Sequence, residues 1–329
     1  MASSQSIEFA QFLAGLQTRT SDPNLDLPTI RDIIESIHLA TKEPEAVTYA
    51  EQDVDGVEAL WCVPNDSDDS AVLLHNHMGG TVLASMHSDR KAAAHIAKAA
   101  GVPALVLNYR RSPEHKFPAQ INDVDNAYRW LLDRGYRPQN IASVGHSIGG
   151  NFAISLALRL RDSGAPLPGA ILSVSPWVDM TISNPTIDSN ADADKILSRP
   201  LLELFRSLWL DETGVGWDDA RINLLKAELS GLPPTAIYYG EDELLAGEAA
   251  ELAQHAEAAG NDVLLRSVSG GQHSFIVAAG RVPEVDQAIA EMGSWLRSKL
   301  GLGQFASARR VSDTANNEEH YPQIGDRVS

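Results

Sequence analysis

Cysteine is nearly absent from this sequence: Cys62 is the only one in 329 residues, so an internal disulfide is excluded. It lies in the apolar run Ala59-Leu60-Trp61-Cys62-Val63 and reads as packing rather than as a thiol nucleophile. Positive charge is also scarce. Lys and Arg total 26 against 44 Asp and Glu, a formal net charge of −18. Such a surface repels phosphate backbones and anionic lipid, which argues against nucleic-acid and membrane partners. No apolar run approaches the roughly 20 residues that a bilayer span requires. The stretch Met1-Ala2-Ser3-Ser4-Gln5-Ser6 has neither the basic region nor the apolar core of a signal peptide, so the expected location is cytoplasmic. No internal repeat is present.

Hydrophobic residues make up 43% of the chain, enough for one large core. Residues 1–45 read as amphipathic helix, with Phe9, Phe12, Leu13 and Leu16 at helical spacing and Pro23 and Pro28 as breaks. Val47 to Val63 reads as a hairpin turning at Asp55-Gly56. Short apolar runs then recur at 71–74, 102–107, 141–144, 170–174, 235–239 and 263–268, with helical stretches such as 88–100 and 122–134 between most of them. This alternation predicts a mostly parallel sheet covered on both faces. After Ser175-Pro176-Trp177 about fifty residues pass before the next strand, and Leu201, Leu202, Phe205 and Trp209 give that interval an apolar helical face. It is expected to leave the sheet and form part of a cap. Residues 304–329 are polar and are expected to be a flexible tail.

Gly145-His146-Ser147-Ile148-Gly149 is the most informative stretch. A G-x-S-x-G between a strand and a helix forms a turn so tight that small residues must flank the serine; it lifts the hydroxyl clear of the sheet. The helix that follows aims its positive end at the same place. A serine hydroxyl needs a base, and the base needs an orienting carboxylate. Asp242, just past a strand, and His273, just past the last strand, supply them in the order serine, acid, histidine; Glu241 and Glu243 flank Asp242 and compete for its role. Leu74-His75-Asn76-His77-Met78-Gly79-Gly80-Thr81 follows an early strand, and its glycines let backbone N–H groups approach a reacting carbonyl. Those of Gly79, Gly80 and Ile148 are the expected oxyanion donors, each typically worth about 3–4 kcal/mol in the transition state. A metal site on His75 and His77 is disfavoured, because spacing i, i+2 without a third ligand nearby is weak evidence.

Together these segments resemble the hormone-sensitive-lipase-type branch of the α/β-hydrolases, the bacterial esterases with an H-G-G-G loop. His77-Met78-Gly79-Gly80 falls on that loop. Tyr109-Arg110-Arg111-Ser112-Pro113-Glu114-His115-Lys116-Phe117-Pro118-Ala119 is similar to the family's Y-R-L-A-P-E-H-x-F-P-A. Ser175-Pro176-Trp177-Val178-Asp179, Gly240-x-Asp242-x-Leu244 and His273-Ser274-Phe275 match the later segments. Two departures stand out: Met78 replaces the first loop glycine, and the elbow is Gly-His-Ser-Ile-Gly where most of the branch has Gly-Asp-Ser-Ala-Gly.

The resemblance implies an α/β-hydrolase fold with an eight-stranded sheet. It divides the chain into N-terminal cap helices (1–45), a core in two parts (46–180 and 230–303) and a cap insert (181–229). It implies a serine hydrolase that cleaves carboxylic esters of short to medium acyl chain through an acyl-enzyme, with no cofactor and no metal. Ser147 would be the nucleophile, His273 the base and Asp242 the orienting acid. Met78, Phe205 and Trp209 would line the substrate pocket. His77, Glu114, His115 and Asp123 would brace loops. The expected partner is a small-molecule ester, and a homodimer is open. Lactones, including monoterpene lactones, and amidase or acyltransferase chemistry on the same triad are the alternatives. A non-catalytic receptor is disfavoured because His273 is present.

Overall fold

A computed structural model of the chain describes residues 2–303; the tail expected at 304–329 lies outside the described residues. Eight strands form one sheet in the order β1-β2-β4-β3-β5-β6-β7-β8. β1 (Val47–Val54) and β2 (Val57–Pro64) make the hairpin expected from Asp55-Gly56. Asp55 and Gly56 both take positive φ, 50° and 88°, and Gly56 N–H donates to Asp53 Oδ1 at 2.9 Å. Paired positive φ angles are what a two-residue hairpin with the right twist requires. β2 runs antiparallel to β4 (Ala104–Leu107). From there β3 (Val72–Asn76), β5 (Ile141–His146), β6 (Ala170–Val174), β7 (Thr235–Gly240) and β8 (Val263–Val268) are parallel.

Helices cover both faces, so β3 to β6 are buried throughout, as parallel strands between helical layers must be. α3 (Met86–Ala100) and α9 (Pro283–Lys299) pair on one side, so close that a Cβ at Gly293 would meet Ala99 backbone at 2.4 Å. α4 (Ala119–Asp133), α5 (Ile148–Asp162) and α8 (Ala246–Ala258) lie on the other, where Ile154, Ile171, Ile237 and Leu252 share a core. α3 begins with a reciprocal cap between Ser85 and Ser88 and ends on Gly101 at φ 66°, so side chains at its start and a left-handed residue at its end satisfy its free backbone groups.

The N-terminal segment is helical as expected, in α1 (Ser4–Thr20) and α2 (Leu27–Glu35). Pro28 does not end a helix there. It occupies the first turn of α2 behind the Asp26 cap, where its missing N–H costs nothing. Between β6 and β7 the chain leaves the sheet, with the short α6 (Thr186–Ser189) and the longer α7 (Arg199–Leu210). α7 buries Leu202, Phe205, Arg206, Trp209 and Leu210, the stripe that its helical period predicts. α1 reaches this insert, since Gln17 Nε2 donates to Leu197 O at 3.3 Å.

Candidate active site

The loops at the carboxyl ends of β3, β5, β7 and β8 converge at the residue between β5 and α5. Ser147 there has φ 56° and ψ −128°, a strained backbone for a residue with a Cβ. Its position is fixed from both sides, because Ser147 N–H donates to Val174 O and Ser147 O accepts from the N–H groups of Gly150 and Trp177. The turn closes only on glycine: a Cβ at Gly149 would meet Asn76 O at 2.1 Å and His77 O at 2.6 Å. That close approach sets the first turn of α5 directly on the end of β3, beside the loop carrying Gly79 and Gly80. Ser175 and Ser274 also take positive φ, 46° and 58°, so strain gathers where the loops meet.

His273 Nε2 lies 2.9 Å from Ser147 Oγ, a hydrogen bond between groups 126 residues apart. Its Nδ1 lies 3.3 Å from Glu243 Oε2. The expected acid, Asp242, is therefore corrected by the structure: the flanking Glu243 stands behind the imidazole. The turn after β7 decides this. Asp242 N–H is drawn to Gly271 O, and Glu243 N–H folds back to Gly240 O. Glu243 thereby comes to point inward and is fully enclosed, whereas Asp242 stays partly exposed. Ser175 braces the base loop, its Oγ accepting from Ser274 N–H at 3.1 Å.

Burial dominates the electrostatics here. It pushes the Glu243 carboxyl up to about 8, countered only in part by the Ser175 hydroxyl and the Gly240 backbone. It pushes His273 down to about 4, against the pull of the Asp194 carboxylate. The resting imidazole is therefore neutral near pH 7, the form that accepts a proton. Such an arrangement can draw the proton from the Ser147 hydroxyl, and the imidazolium that forms favours ionisation of the Glu243 carboxyl beside it.

The loop from His77 to Ala84 is held in one shape. Gly79 O accepts from the N–H groups of Val82 and Leu83, and Thr81 O from Ser112 N–H. Tyr109 Oη donates to His77 O at 2.9 Å, and its ring stacks on the His77 ring with centroids 3.9 Å apart. His77 Nδ1 lies 2.6 Å from Met78 O, and desolvation lowers His77 to about 4. Arg31 donates to Val82 O and, bidentate, to Glu114; Asp123 accepts from Arg110 backbone and guanidinium. Gly79, Gly80 and Ile148 N–H groups have no acceptor among the loop, cap and side-chain hydrogen bonds of the described residues.

Phe205 lies on this loop: a Cβ at Gly80, which has φ 61°, would stand 2.2 Å from its ring. Met78 is buried nearby in the same core. Trp209 is enclosed between Phe117 and Phe152, edge to face with each, and its indole N–H donates to Gln120 Oε1 at 3.0 Å.

His75 and His77 do not come together as a pair. His75 Nε2 instead lies 2.9 Å from Asp89 Oδ2, and His146 Nε2, from the residue before the elbow serine, lies 2.5 Å from the same oxygen. All three side chains are buried. This is the cluster of metal-ligating residue types among the described residues, and both ring nitrogens already engage one carboxylate oxygen. The role of Asp89 has no signal in the sequence, since an acid in the first turn of a helix such as α3 is ordinary. Glu243 was within the right window, one position from the expected acid.

Comparison with known proteins agrees with the fold. Residues 73–277 match the family model described as alpha/beta hydrolase fold. An acetyl-hydrolase of Streptomyces hygroscopicus is 33% identical over 74% of this chain and 81% of its own. A putative acetyl-hydrolase, LipR, of Mycobacterium tuberculosis is 27% identical over 89% and 94%. The crystal structure of an esterase from the bacterial hormone-sensitive lipase family superposes with a TM-score of 0.85 at 34% identity, covering 92% of this chain and all of that one. With the sheet order, the serine on its strained turn and these relatives in agreement, the chain belongs to the α/β hydrolase fold family, in its hormone-sensitive-lipase branch.

Proposed function

We propose that this protein hydrolyses carboxylic esters of short to medium acyl length through an acyl-enzyme. The observation that carries the reading is the 2.9 Å contact between Ser147 Oγ and His273 Nε2, with Glu243 Oε2 on the far side of the ring. Ser147 Oγ attacks the ester carbonyl as its proton passes to Nε2. Glu243 holds the imidazolium that forms. The N–H groups of Gly79, Gly80 and Ile148 take the oxyanion. The tetrahedral adduct collapses, and His273 gives its proton to the departing alkoxide. A water deprotonated by the same nitrogen then releases the acid and restores Ser147.

α1, α2 and the insert form a cap over these loops in this reading. Phe205, packed on Gly80, shortens the space beyond the oxyanion donors and so favours small acyl groups. The acetyl-hydrolase names of two relatives point the same way. Initial rates on p-nitrophenyl esters from acetate to palmitate, beside a panel of lactones, test the proposal. The expected maximum is at short chains, lost by about 10^4-fold or more in Ser147→Ala with folding intact, and moved toward longer chains by Phe205→Ala. Turnover confined to lactones would change the substrate class, and a wild type with no turnover at all would sink the reading.

A further inference from the structure

The insert does more than cover the site: it grips the acid loop and the base loop at the same time. Asp194, almost fully buried, uses Oδ1 to accept from Ile196 N–H at 2.9 Å and Leu197 N–H at 2.8 Å. Its Oδ2 accepts from Leu244 N–H at 3.0 Å, the residue after Glu243. The insert bonds to the acid loop at two further places. Asn190 Nδ2 donates to Glu243 O at 2.9 Å, and Thr186 Oγ1 donates to Leu244 O at 2.6 Å. On the base side, the residue before His273 is Gln272, also buried. Its Oε1 accepts from Lys195 N–H at 2.7 Å and its Nε2 donates to Ala193 O at 3.2 Å. Residues 193–195 thus bridge the two loops, with Asp194 in the middle and its charge acting on the imidazole.

We propose that Asp194 is a positioning residue for the Glu243–His273 couple, splinting both loops from the insert and supplying a negative charge that stabilises the imidazolium. This rests on the ester-hydrolysis reading. Three backbone N–H donors hold the Asp194 carboxylate in place, against the burial that raises its proton affinity. Two acidic groups face the imidazole, Glu243 from the loop after β7, 3.3 Å away, and Asp194 from the insert, whose charge acts on the ring. Its neighbour from the elbow, Ser147, is neutral, as is Ser175, which holds the following residue from the end of β6. A negative charge acting on a buried imidazole raises the proton affinity of the ring, so its removal lowers that affinity.

The test is the pH dependence of kcat/KM on p-nitrophenyl acetate for the full-length wild type, Asp194→Asn and Gln272→Ala, each with a melting temperature. Asp194→Asn is expected to lower kcat about tenfold or more with KM within about twofold, and to move the acid limb to lower pH. Gln272→Ala keeps the charge, so it is expected to lower kcat with the limb in place. A residue that only holds the fold together would lower the melting temperature and leave the limb unmoved, and that result overturns the proposal. If Asp194→Asn does not fold, Asp194→Glu replaces it. The longer arm keeps the charge but displaces the Leu244 bond, so kcat falls with the limb unmoved; a wild-type kcat or a moved limb overturns the proposal. An active wild type with an unmoved Asp194→Asn limb defeats this inference alone, whereas an inactive wild type defeats the ester reading.

Discussion

Two buried histidine–carboxylate groups meet one residue apart in the chain, at His146 and Ser147, and they are built in opposite ways. In the first, Asp89 takes both His75 and His146 on one oxygen at 2.9 and 2.5 Å, and the two rings hold its carboxyl well below the usual carboxylate range in spite of burial. In the second, Glu243 stands 3.3 Å from His273, and burial drives its carboxyl up to about 8. The first group is a settled charge that joins α3, β3 and β5 beneath the elbow. The second is a carboxyl that burial holds back from ionising until the imidazole beside it acquires a proton. The same residue types therefore do either work, and the completeness of the hydrogen bonding decides which.

Substitution can break that contrast at either end. The largest effect is expected at the acid. Glu243→Gln removes the carboxyl that would ionise against the imidazolium and should lower kcat by about 10^2–10^4-fold, whereas Asp242→Asn should leave kcat within about twofold because the ion-pair contact with the ring is made by Glu243. Steady-state rates on p-nitrophenyl acetate separate the two, and a reversed order would return the acid to position 242. At the other group the cost should fall on folding. Asp89→Asn replaces the charged acceptor shared by two buried imidazoles with a neutral amide and is expected to cost about 3 kcal/mol in urea unfolding, with a much smaller proportional loss in kcat at temperatures where it remains folded. A loss of kcat as large as that at Glu243 would erase the distinction.

The smallest expected effect is a displacement along the pH axis. His273 must be neutral to act as a base, and burial lowers it from the ordinary 6.5 to about 4. Its base form therefore persists as the medium is acidified, and the acid limb of kcat/KM is expected well below pH 6.5. The sign for stability follows from the same depression: neutral His273 favours the folded state fully above the unfolded-state value near 6.5, and that contribution declines as pH falls from there toward about 4. An acid limb at or above 6.5, read from initial rates between about pH 4 and 8, would mean that the ring is solvated.

The sequence made the sheet legible because each parallel strand is a short apolar run with a helix after it, a signal that survives without knowledge of the tertiary structure. Ser147 and His273 were legible because a tight turn and a late strand end leave local marks, Gly145 and Gly149 around one and Gly270-Gly271 before the other. The acid was not. Three consecutive acidic residues follow Gly240, and which of them faces inward depends on Gly271, a residue of another loop that captures Asp242 N–H. Asp89 and Asp194 were invisible for the same reason. Their meaning comes from partners on distant segments, and each alone resembles an ordinary helix-surface or loop acid. Pro28 was misread because a proline ends one helix and begins another with equal ease, and the Asp26 cap decides the matter.

The ring of Phe205 occupies the volume that any side chain at position 80 would need. In the proposed reading, where Gly80 donates to the oxyanion and Phe205 bounds the acyl pocket, the width of that pocket and the placement of that donor are set by the same few atoms. Evolution of this protein toward bulkier acids cannot widen the one without loosening the other, so broader substrate range should come with a higher barrier unless a second change restores support to that glycine.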